Sequence, residues 1–300
     1  MKIDPHLRSA YRYCRRVAQA HYENFPVASL LLPRRLRDPI AAIYVFARQA
    51  DDIADEGDAE ASKRLQQLDV FHQQLQAIAE NRPTGNSPLW TALSDTIQRF
   101  NLPIKLFEDL LYAFRQDIIK TRFANLEEVL EYCRYSANPV GRLVLHLNKA
   151  PTPSQLNQSD AICTSLQLIN FFQDIHQDYL ENHRIYLPQD KLKQAGIDES
   201  KILVSPPQQL SQVLQPLYQY TISLMQQGSQ LGLTLSGRLG FEIRAMTLGG
   251  IETLILLMKQ PESQLLSRPR LSRRQHFFVM LNALSKHRYQ MRINQLIRPM

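Results

Sequence analysis

The sequence lacks the features that would assign it to a secreted, disulfide-rich or membrane-spanning class. Its 300 residues contain three cysteines, Cys14, Cys133 and Cys163, and such an odd number of widely spaced thiols is typical of a reducing compartment rather than of disulfides or a zinc site. No apolar run reaches the roughly 18 residues of a transmembrane helix, and the first residues lack the apolar core of a signal peptide. We therefore expect a cytoplasmic protein without a transmembrane segment.

Acidic residues are absent from the last part of the chain. Residues 263–300 contain no Asp or Glu but eight Lys and Arg residues, whereas the whole chain carries a net charge of +7. Such a basic segment can meet an anionic membrane or a polyanionic substrate. We predict a basic C-terminal helix over about residues 268–298, for which peripheral contact with an anionic membrane and packing against the core both stay open. We expect no nucleic-acid partner.

Strict alternation of apolar and polar residues, the pattern of a half-buried strand, is also missing, and helical periodicity dominates. Turn-forming stretches such as NRPTGNSP and KAPTPS separate the periodic segments, but none is long enough to be an interdomain linker. We therefore predict one all-α domain spanning residues 1–300. The predicted helices lie near residues 5–20, 38–56, 60–80, 88–100, 103–121, 126–148, 155–182, 190–195, 208–231, 236–258 and 272–296.

One predicted helix carries charges on an otherwise apolar surface. In the stretch YVFARQADDIADEGD, one narrow stripe at about 100° per residue contains Tyr44, Arg48, Asp51 and Asp55. Asp52 lies at the edge of this stripe. A helix that faces solvent normally gives about half of its circumference to polar residues. Because this stripe is much narrower, we predict that it lines a cavity, with an exposed acidic helix end as the alternative.

A second predicted helix, in NFFQDIHQDYLENHR, repeats the pattern. Asn170, Asp174 and Asp178 are spaced four residues apart and therefore share one helix face, about one turn from each other. The same face also carries Gln167, Gln177 and Glu181. We interpret His176 and His183 as structural. Repelling carboxylates at this spacing destabilise a helix by roughly 0.2–0.5 kcal/mol per pair unless a cation lies between them.

Two such stripes facing each other across a helical bundle would form a cage of oxygen ligands. Oxygen ligands without Cys or a close pair of His favour Mg²⁺ over zinc, and Mg²⁺ is usually completed by water and substrate phosphates. The pattern therefore predicts a magnesium site and a diphosphate substrate. The main alternative is a di-iron carboxylate bundle, but that site requires Glu-x-x-His motifs, and the predicted long helices contain none.

The two stripes and the segment between them resemble the squalene/phytoene synthase family of head-to-head prenyl-diphosphate synthases. ARQADDIAD is similar to the family's D-x-x-x-D motif, and NFFQDIHQD followed by RIYLP is similar to its N-x-x-x-D-x-x-x-D motif. YCRYSANPVGRLVL resembles the family's small-residue helix bend, with Tyr132, Ala137 and Gly141 in register. The resemblance runs from about Arg12 to about Arg274. It implies the isoprenoid synthase fold, a helical bundle with a central cavity.

Within this family the segments HYENFPVASLLLPRRLRDPIAAIY, ADDIADEGD and SANPVGRL look most like the hydroxysqualene synthases of the bacterial hopanoid pathway. Such enzymes convert presqualene diphosphate and water into hydroxysqualene and diphosphate, without a nicotinamide. The chain departs from the family pattern between His21 and Phe25. It also has LGGIETL where dehydrosqualene synthases place a Tyr. There, Gly249 and Gly250 would either leave room for water or substrate or allow a close helix contact.

The resemblance also implies roles for the site residues. Mg²⁺ would be held by Asp51, Asp55, Asn170, Asp174 and Asp178. Asp52 would support these ligands, while Arg48 and Arg184 would donate hydrogen bonds to the diphosphate. His21 would order a water or a phosphate oxygen, with capping or packing as the alternative. The walls around a carbocation would be formed by Phe25, Tyr44, Tyr132 and Phe171. Ordinary core packing is the alternative for each of these rings.

Two other functions stay open from the sequence. The first is condensation of two farnesyl diphosphates to presqualene diphosphate or to a squalene- or phytoene-type product, which would use the same metal cage. The second is a non-catalytic relative that serves as an assembly or lipid-binding factor. Such a relative is expected to lose the aspartates, whereas all of the predicted metal positions are intact in this chain.

Overall fold

The computed structural model describes residues 4–20 and 33–296, and these residues form helices joined by turns. Within these ranges extended backbone pairs only at one isolated bridge, between Arg122 and Ile185. Among the described helices, none is both long and apolar enough to cross a bilayer. The prediction of an all-α fold is confirmed.

The helices follow one another through short connections. In chain order, the described α-helices are α1 (Pro5–Ala20), α2 (Arg34–Asp55), α3 (Ala61–Ala79), α4 (Pro88–Phe100), α5 (Ile104–Ile119), α6 (Leu126–Ser136), α7 (Asn138–Asn148), α8 (Pro153–Gln173), α9 (Ile175–Asn182), α10 (Gln189–Gln194), α11 (Pro207–Ser229), α12 (Leu231–Thr234), α13 (Gly237–Lys259), α14 (Arg273–Ala283) and α15 (Lys286–Leu296). Two 3₁₀ turns, Glu199–Val204 and Glu262–Gln264, precede α11 and α14.

Interruptions divide the long helices predicted over 126–148, 155–182 and 272–296. Helix α6 ends with Ala137 as its C-cap, at φ −108° and ψ −47°, and α7 follows directly, because Pro139 has no N–H to continue the helix ladder. Between α14 and α15, the hydroxyl of Ser285 accepts a hydrogen bond from the N–H of Arg288 at 3.1 Å, which caps the second helix. The predictions of single helices over 126–148 and 272–296 were therefore wrong.

Helix α2 begins earlier than the sequence indicated. Its expected start was near Asp38 and Pro39, because proline is common in the first turn of a helix. The helix instead begins at Arg34, directly after Pro33, and Pro39 is buried inside it. The prediction of this helix was correct, but its first turn was missed.

The chain divides into two compact units. Unit 1 comprises residues 1–119 and 139–152, and unit 2 comprises residues 120–138 and 153–300. The described helices of unit 1 are α1 to α5 and α7, and those of unit 2 are α6 and α8 to α15. The single domain over residues 1–300 and its central cavity stay predictions.

Helix α2 lies in the core of unit 1. Its Phe46 is fully buried, and the centroid of this ring lies 5.8 Å from that of Phe71, 6.1 Å from that of Trp90 and 5.4 Å from that of Phe107. Ala50, one turn later, is fully buried as well. The apolar surface of α2 therefore packs inside unit 1, which leaves the charged stripe as the accessible side of the helix.

Helix α8 is closely packed in unit 2. It contacts α11 at Gly228, where a Cβ atom would lie 2.6 Å from Ile162 Cγ1 and 2.7 Å from the carbonyl oxygen of Gln158. Real Cβ atoms do not approach other atoms so closely, so the crossing of α8 and α11 requires glycine. This contact fixes the helix that leads into the second stripe.

Candidate active site

The first charged stripe lies at the C-terminal end of α2. Nε of Arg48 is 2.6 Å from Oδ1 of Asp52, and its Nη2 is 2.7 Å from Oε1 of Glu56. Nη1 of Arg48 is 4.0 Å from Oδ2 of Asp51. All four side chains are between one-third and two-thirds exposed. Arg48 thus offsets part of the negative charge, while the carboxylates stay accessible to a ligand.

The end of α2 is held by Arg64, a residue that was not among the predicted site residues. The Arg64 guanidinium donates hydrogen bonds to the carbonyl oxygens of Ala54 and Gly57 and, at 2.8 Å, to that of Ala59. Carbonyls at a helix end have no partner within the helix. Gly57 has a φ of 82°, a left-handed conformation that favours glycine. Together Arg64 and Gly57 fix the turn directly after Asp55; a basic residue near a helix end was the only sequence signal.

Tyr44 lies one turn before Arg48 and packs, partly buried, against the core of unit 1. Burial raises the pKa of the Tyr44 phenol, the Arg48 guanidinium opposes this shift, and the carboxylates of Asp52 and Asp51 add to it. The hydroxyl therefore keeps its proton at neutral pH and can act as a hydrogen-bond donor. Asp55, the last residue of α2, follows one turn after Asp51 on the same stripe.

The second stripe passes through a break in unit 2. Asp174, with φ −109° and ψ 13°, lies between α8 and α9, so the prediction of one helix over 155–182 was wrong at this residue. The Asp174 N–H nevertheless donates to the carbonyl oxygen of Asn170 at 2.9 Å, and the Asp178 N–H donates to that of Asp174 at 2.8 Å. These four-residue hydrogen bonds keep the three predicted ligands in helical register across the break.

Asp174 forms an ion pair with Arg268, in which Nε of the arginine lies 2.9 Å from Oδ1 of the carboxylate. Burial raises the pKa of the Asp174 carboxyl, and the guanidiniums of Arg268 and Arg270 oppose this shift. The sequence pattern assigns Arg268 to the basic C-terminal segment and does not indicate this contact, because the two residues are far apart in the chain. A run of arginines after residue 267 was the only signal.

An open cleft of about 560 Å³ adjoins this ion pair. Its lining combines Asp174 and Arg268 with Gln173, His176, Gln177 and several residues between 263 and 267. The Gln173 side-chain amide also donates to the carbonyl oxygen of Pro269 at 2.8 Å, which holds the arginine-bearing segment near the helix break. The cleft therefore offers both a carboxylate and a guanidinium to a ligand. His176, which we interpreted as structural, lines it as well.

Arg184 follows the second stripe directly. His183 ends α9 in a left-handed conformation with a φ of 50°, in keeping with its structural interpretation, and the Arg184 N–H donates to the carbonyl oxygen of Asp178 at 3.0 Å. The Arg184 side chain is buried. The backbone of Arg184 is therefore joined to that of Asp178, the last of the predicted metal ligands, and the Arg184 guanidinium is buried.

Tyr132 and Phe171 belong to one aromatic cluster in unit 2. Phe171 stacks on Tyr186, with ring centroids 3.8 Å apart and planes 5° from parallel. Tyr132 lies 6.1 Å from Phe171 and 5.5 Å from Phe123, again between centroids. The rings of Tyr132 and Phe171 are buried. Core packing is therefore observed for both rings, and their role around a carbocation stays a prediction. Tyr186, the tyrosine of RIYLP, was not among the predicted site residues.

The two glycines of LGGIETL differ in their surroundings. A Cβ on Gly250 would lie 2.7 Å from Leu166 Cδ2 and 2.9 Å from Met225 Cε, so Gly250 permits close packing of α13 against α8 and α11. A Cβ on Gly249 would meet no described heavy atom within 4 Å. The close helix contact therefore occurs at Gly250, and the open space occurs at Gly249.

Two of the predicted site residues, His21 and Phe25, lie outside the described residues, together with the rest of segment 21–32. Their roles toward a water, a phosphate oxygen or a carbocation stay predictions from the resemblance.

The donor atoms of both stripes suit a magnesium ion. Within the described ranges, no three His, Cys, Asp or Glu side chains form a ready-made metal cluster. Each unit instead presents carboxylate or amide oxygens at four-residue spacing, Asp51 and Asp55 in unit 1 and Asn170, Asp174 and Asp178 in unit 2. Mg²⁺ prefers such oxygens and keeps positions for water and phosphate, so few protein ligands are needed. The residues therefore fit Mg²⁺.

Comparison with known proteins gives a consistent result. A sequence profile of the squalene/phytoene synthase family matches residues 11–275. The chain is 38% identical over 224 residues to the hydroxysqualene synthase of Rhodopseudomonas palustris and 37% identical over 227 residues to that of Zymomonas mobilis, covering 74% of this chain and of each relative. The crystal structure of the squalene synthase HpnC from Alicyclobacillus acidocaldarius is 34% identical, with a TM-score of 0.79 over 86% of this chain and 96% of that one. The chain therefore belongs to the squalene/phytoene synthase family of enzymes.

Proposed function

We propose that this enzyme is a hydroxysqualene synthase, which converts presqualene diphosphate and water into hydroxysqualene and diphosphate. The observation that carries this proposal is the identity of 37–38% to proteins named hydroxysqualene synthase. Each alignment covers 74% of this chain and 74% of the relative. No nicotinamide takes part, because water rather than hydride ends the proposed reaction.

Enzymes of this family process prenyl diphosphates and generally depend on a divalent metal. For this chain we propose Mg²⁺, on the grounds of the oxygen-only donor set. Bound Mg²⁺ supplies positive charge that stabilises a diphosphate leaving group. The proposed ligands are Asp51, Asp55, Asn170, Asp174 and Asp178.

Arg48 and Arg184 are proposed to bind the diphosphate oxygens. A guanidinium offers parallel N–H groups that match an oxyanion. Contacts of 2.6 Å to Asp52 and 2.7 Å to Glu56 hold Arg48 on the accessible side of α2, and this supports a role for Asp52 in positioning rather than in metal binding. Arg184 is buried, and a guanidinium in a less polar environment interacts with phosphate more strongly than it does in water.

The proposed chemistry begins when the C–O bond of presqualene diphosphate breaks and its electron pair leaves with the diphosphate. Aromatic ring faces stabilise the remaining carbocation by about 0.5–2 kcal/mol each without adding to it. Tyr44, Tyr132, Phe171 and Phe25 are the rings proposed for this role. The stack of Phe171 on Tyr186 supports it, because fixed rings keep their faces oriented.

Capture by water ends the proposed reaction. The water oxygen forms a bond to the rearranged carbocation, and its proton passes to solvent or to the diphosphate. His21 is proposed to order a water or a phosphate oxygen. The open space at Gly249 supports a route for a water molecule in unit 2, because no described side chain fills it.

We place the enzyme in the cytoplasm, in peripheral contact with an anionic membrane. Cys14, Cys133 and Cys163, all within the described ranges, form no disulfide, as expected in a reducing compartment. The charge for a membrane contact comes from the basic C-terminal segment, which contains no acidic residue after position 262.

The test is incubation of the purified protein and Mg²⁺ with either presqualene diphosphate or farnesyl diphosphate, each with and without NADPH, followed by lipid extraction. We expect a C30 alcohol and diphosphate from presqualene diphosphate without NADPH, and little product from farnesyl diphosphate. EDTA should stop turnover, and Mg²⁺ should restore it. Consumption of farnesyl diphosphate alone would favour condensation, whereas a hydrocarbon formed only with NADPH would favour reductive squalene synthesis.

A further inference from the structure

The solvent-facing side of α14 is apolar, the reverse of an ordinary surface helix. Val279 and Ala283 are buried on the packed side of the helix. On the opposite side, Phe277 is 65% exposed, Phe278 is 56% exposed and Leu284, directly after the helix, is 63% exposed. A surface helix normally turns its apolar stripe toward the core and its polar residues toward water. Large apolar side chains clustered at the surface mark a contact site.

Two arginines share this side with the apolar residues. Arg273, Phe277, Met280 and Leu284 recur at the three- and four-residue spacing of one helix face. Arg273, Arg274, Phe277 and Phe278 line a shallow depression of about 520 Å³. The centroids of the two phenyl rings lie 6.0 Å apart. We call Arg273, Arg274, Phe277, Phe278, Met280 and Leu284 the outer face of α14.

The segment that carries the outer face has charged side chains of one sign only. Arg268 and Arg292 of the same segment are neutralised by Asp174 and Glu252. Arg273 and Arg274, by contrast, are exposed and form no ion pair with any described residue. The segment after position 262 contains no Asp or Glu, so it presents only positive charge to an anionic partner.

We infer that the outer face of α14 docks on an anionic lipid bilayer, with Phe277 and Phe278 inserted among the head groups and Arg273 and Arg274 bound to lipid phosphates. Amphipathic helices on membranes bury their apolar side about 5–10 Å into the boundary between head groups and acyl chains, and basic residues add attraction to anionic lipids. This inference deepens the proposed peripheral membrane contact. It does not depend on the proposed reaction, because no substrate enters the argument.

The test is co-sedimentation of the full chain with vesicles of phosphatidylcholine alone or of phosphatidylcholine with phosphatidylglycerol, at about 0.1 M and about 1 M salt. One variant combines Phe277→Ser with Phe278→Ser, and a second combines Arg273→Gln with Arg274→Gln. The matched controls are Val204→Ser, an apolar position that is 79% exposed outside α14, and Lys191→Gln with Lys193→Gln, which changes the net charge equally. Circular dichroism melts and turnover in detergent establish that each variant is folded.

We expect the wild type to bind the anionic vesicles and to lose most of this binding at high salt. The arginine variant should bind about thirtyfold more weakly, since each basic residue near an anionic surface contributes about 1 kcal/mol. The phenylalanine variant should bind at least tenfold more weakly, and both controls should bind like the wild type. Equal binding to neutral and anionic vesicles would overturn the inference. So would a folded phenylalanine variant that binds like the wild type, or a wild-type dimer that this variant abolishes while no vesicle binding is seen.

Discussion

Arg48 and Arg268 show how a chain can carry acidic residues one turn apart on a helix. Each guanidinium lies beside a carboxylate of one stripe, at 2.6 Å from Asp52 and 2.9 Å from Asp174. Repulsion between two carboxylates one turn apart destabilises a helix by roughly 0.2–0.5 kcal/mol, and an adjacent cation offsets this repulsion. The arginines therefore reduce the repulsion between the acidic residues, while the carboxylates stay accessible to a ligand.

Substituting single acids tests the assignment of the metal ligands. Asp51→Asn or Asp174→Asn should reduce turnover more than a hundredfold, because each removes one negative charge with little change in volume. Each should also abolish the rise in melting temperature that Mg²⁺ with inorganic diphosphate gives the wild type, since only a ligand that binds the folded state stabilises it. Asp58→Asn, an exposed neighbour just after the first stripe, is the control and should behave like the wild type. Normal turnover at saturating Mg²⁺ in either site variant would refute the assignment.

The cysteines give a test that involves no substrate. Burial raises the pKa of the Cys14 thiol to about 12 and raises the pKa of the fully buried Cys133 thiol as well. Because the thiolate is the reactive form, neither should react with a thiol reagent in the native state at pH 8. Cys163 is partly exposed. We expect at most one thiol labelled in the native protein and three after denaturation. Fast labelling of Cys133 in a folded sample would contradict the packing of α6.

Helical periodicity predicts the helices that carry the two stripes, but it does not predict the breaks within them. The break at Asp174 leaves the hydrogen bonds to Asn170 and from Asp178 in place, so the four-residue spacing in the sequence is unchanged by it. The contact between Arg268 and Asp174 depends on tertiary packing, and helical periodicity carries no information about tertiary packing. Ser285 could have been predicted to cap a helix, because serine is favoured at helix starts. The apolar periodicity continues through this residue, however, and therefore indicated a single helix.

Three glycine substitutions test the packing of the helices in unit 2. Gly249→Ala should stabilise the protein by about 0.5–1 kcal/mol, since alanine favours a helix over glycine and the space is open. Gly228→Ala should destabilise it by about 1–3 kcal/mol, because its Cβ would lie 2.7 Å from a backbone oxygen of α8. Gly250→Ala should fall between them, because the ends of Leu166 and Met225 can move. Urea denaturation measures all three, and equal stabilities for Gly228→Ala and Gly249→Ala would contradict the close crossing.

In the whole molecule, the basic residues have different roles that depend on where they lie. The chain carries +7 in total, and eight basic residues lie after position 262. Among them, Arg268 serves the candidate site and Arg292 pairs with Glu252, whereas Arg273 and Arg274 face outward with the apolar side chains of α14. The excess of positive charge is visible in the sequence, but which arginines form ion pairs is not, because their partners lie on helices distant in the chain.

We propose that the chain breaks a C–O bond of a prenyl diphosphate and lets water capture the carbocation. Turnover of presqualene diphosphate in ¹⁸O-labelled water, with mass spectrometry of both products, shows where the water oxygen goes. We predict one ¹⁸O atom in the hydroxyl group of the C30 alcohol and none in the diphosphate, because the diphosphate keeps the oxygen of the broken bond. An unlabelled alcohol together with ¹⁸O in the diphosphate would show that water attacks phosphorus, and that result would rule out capture of a carbocation by water.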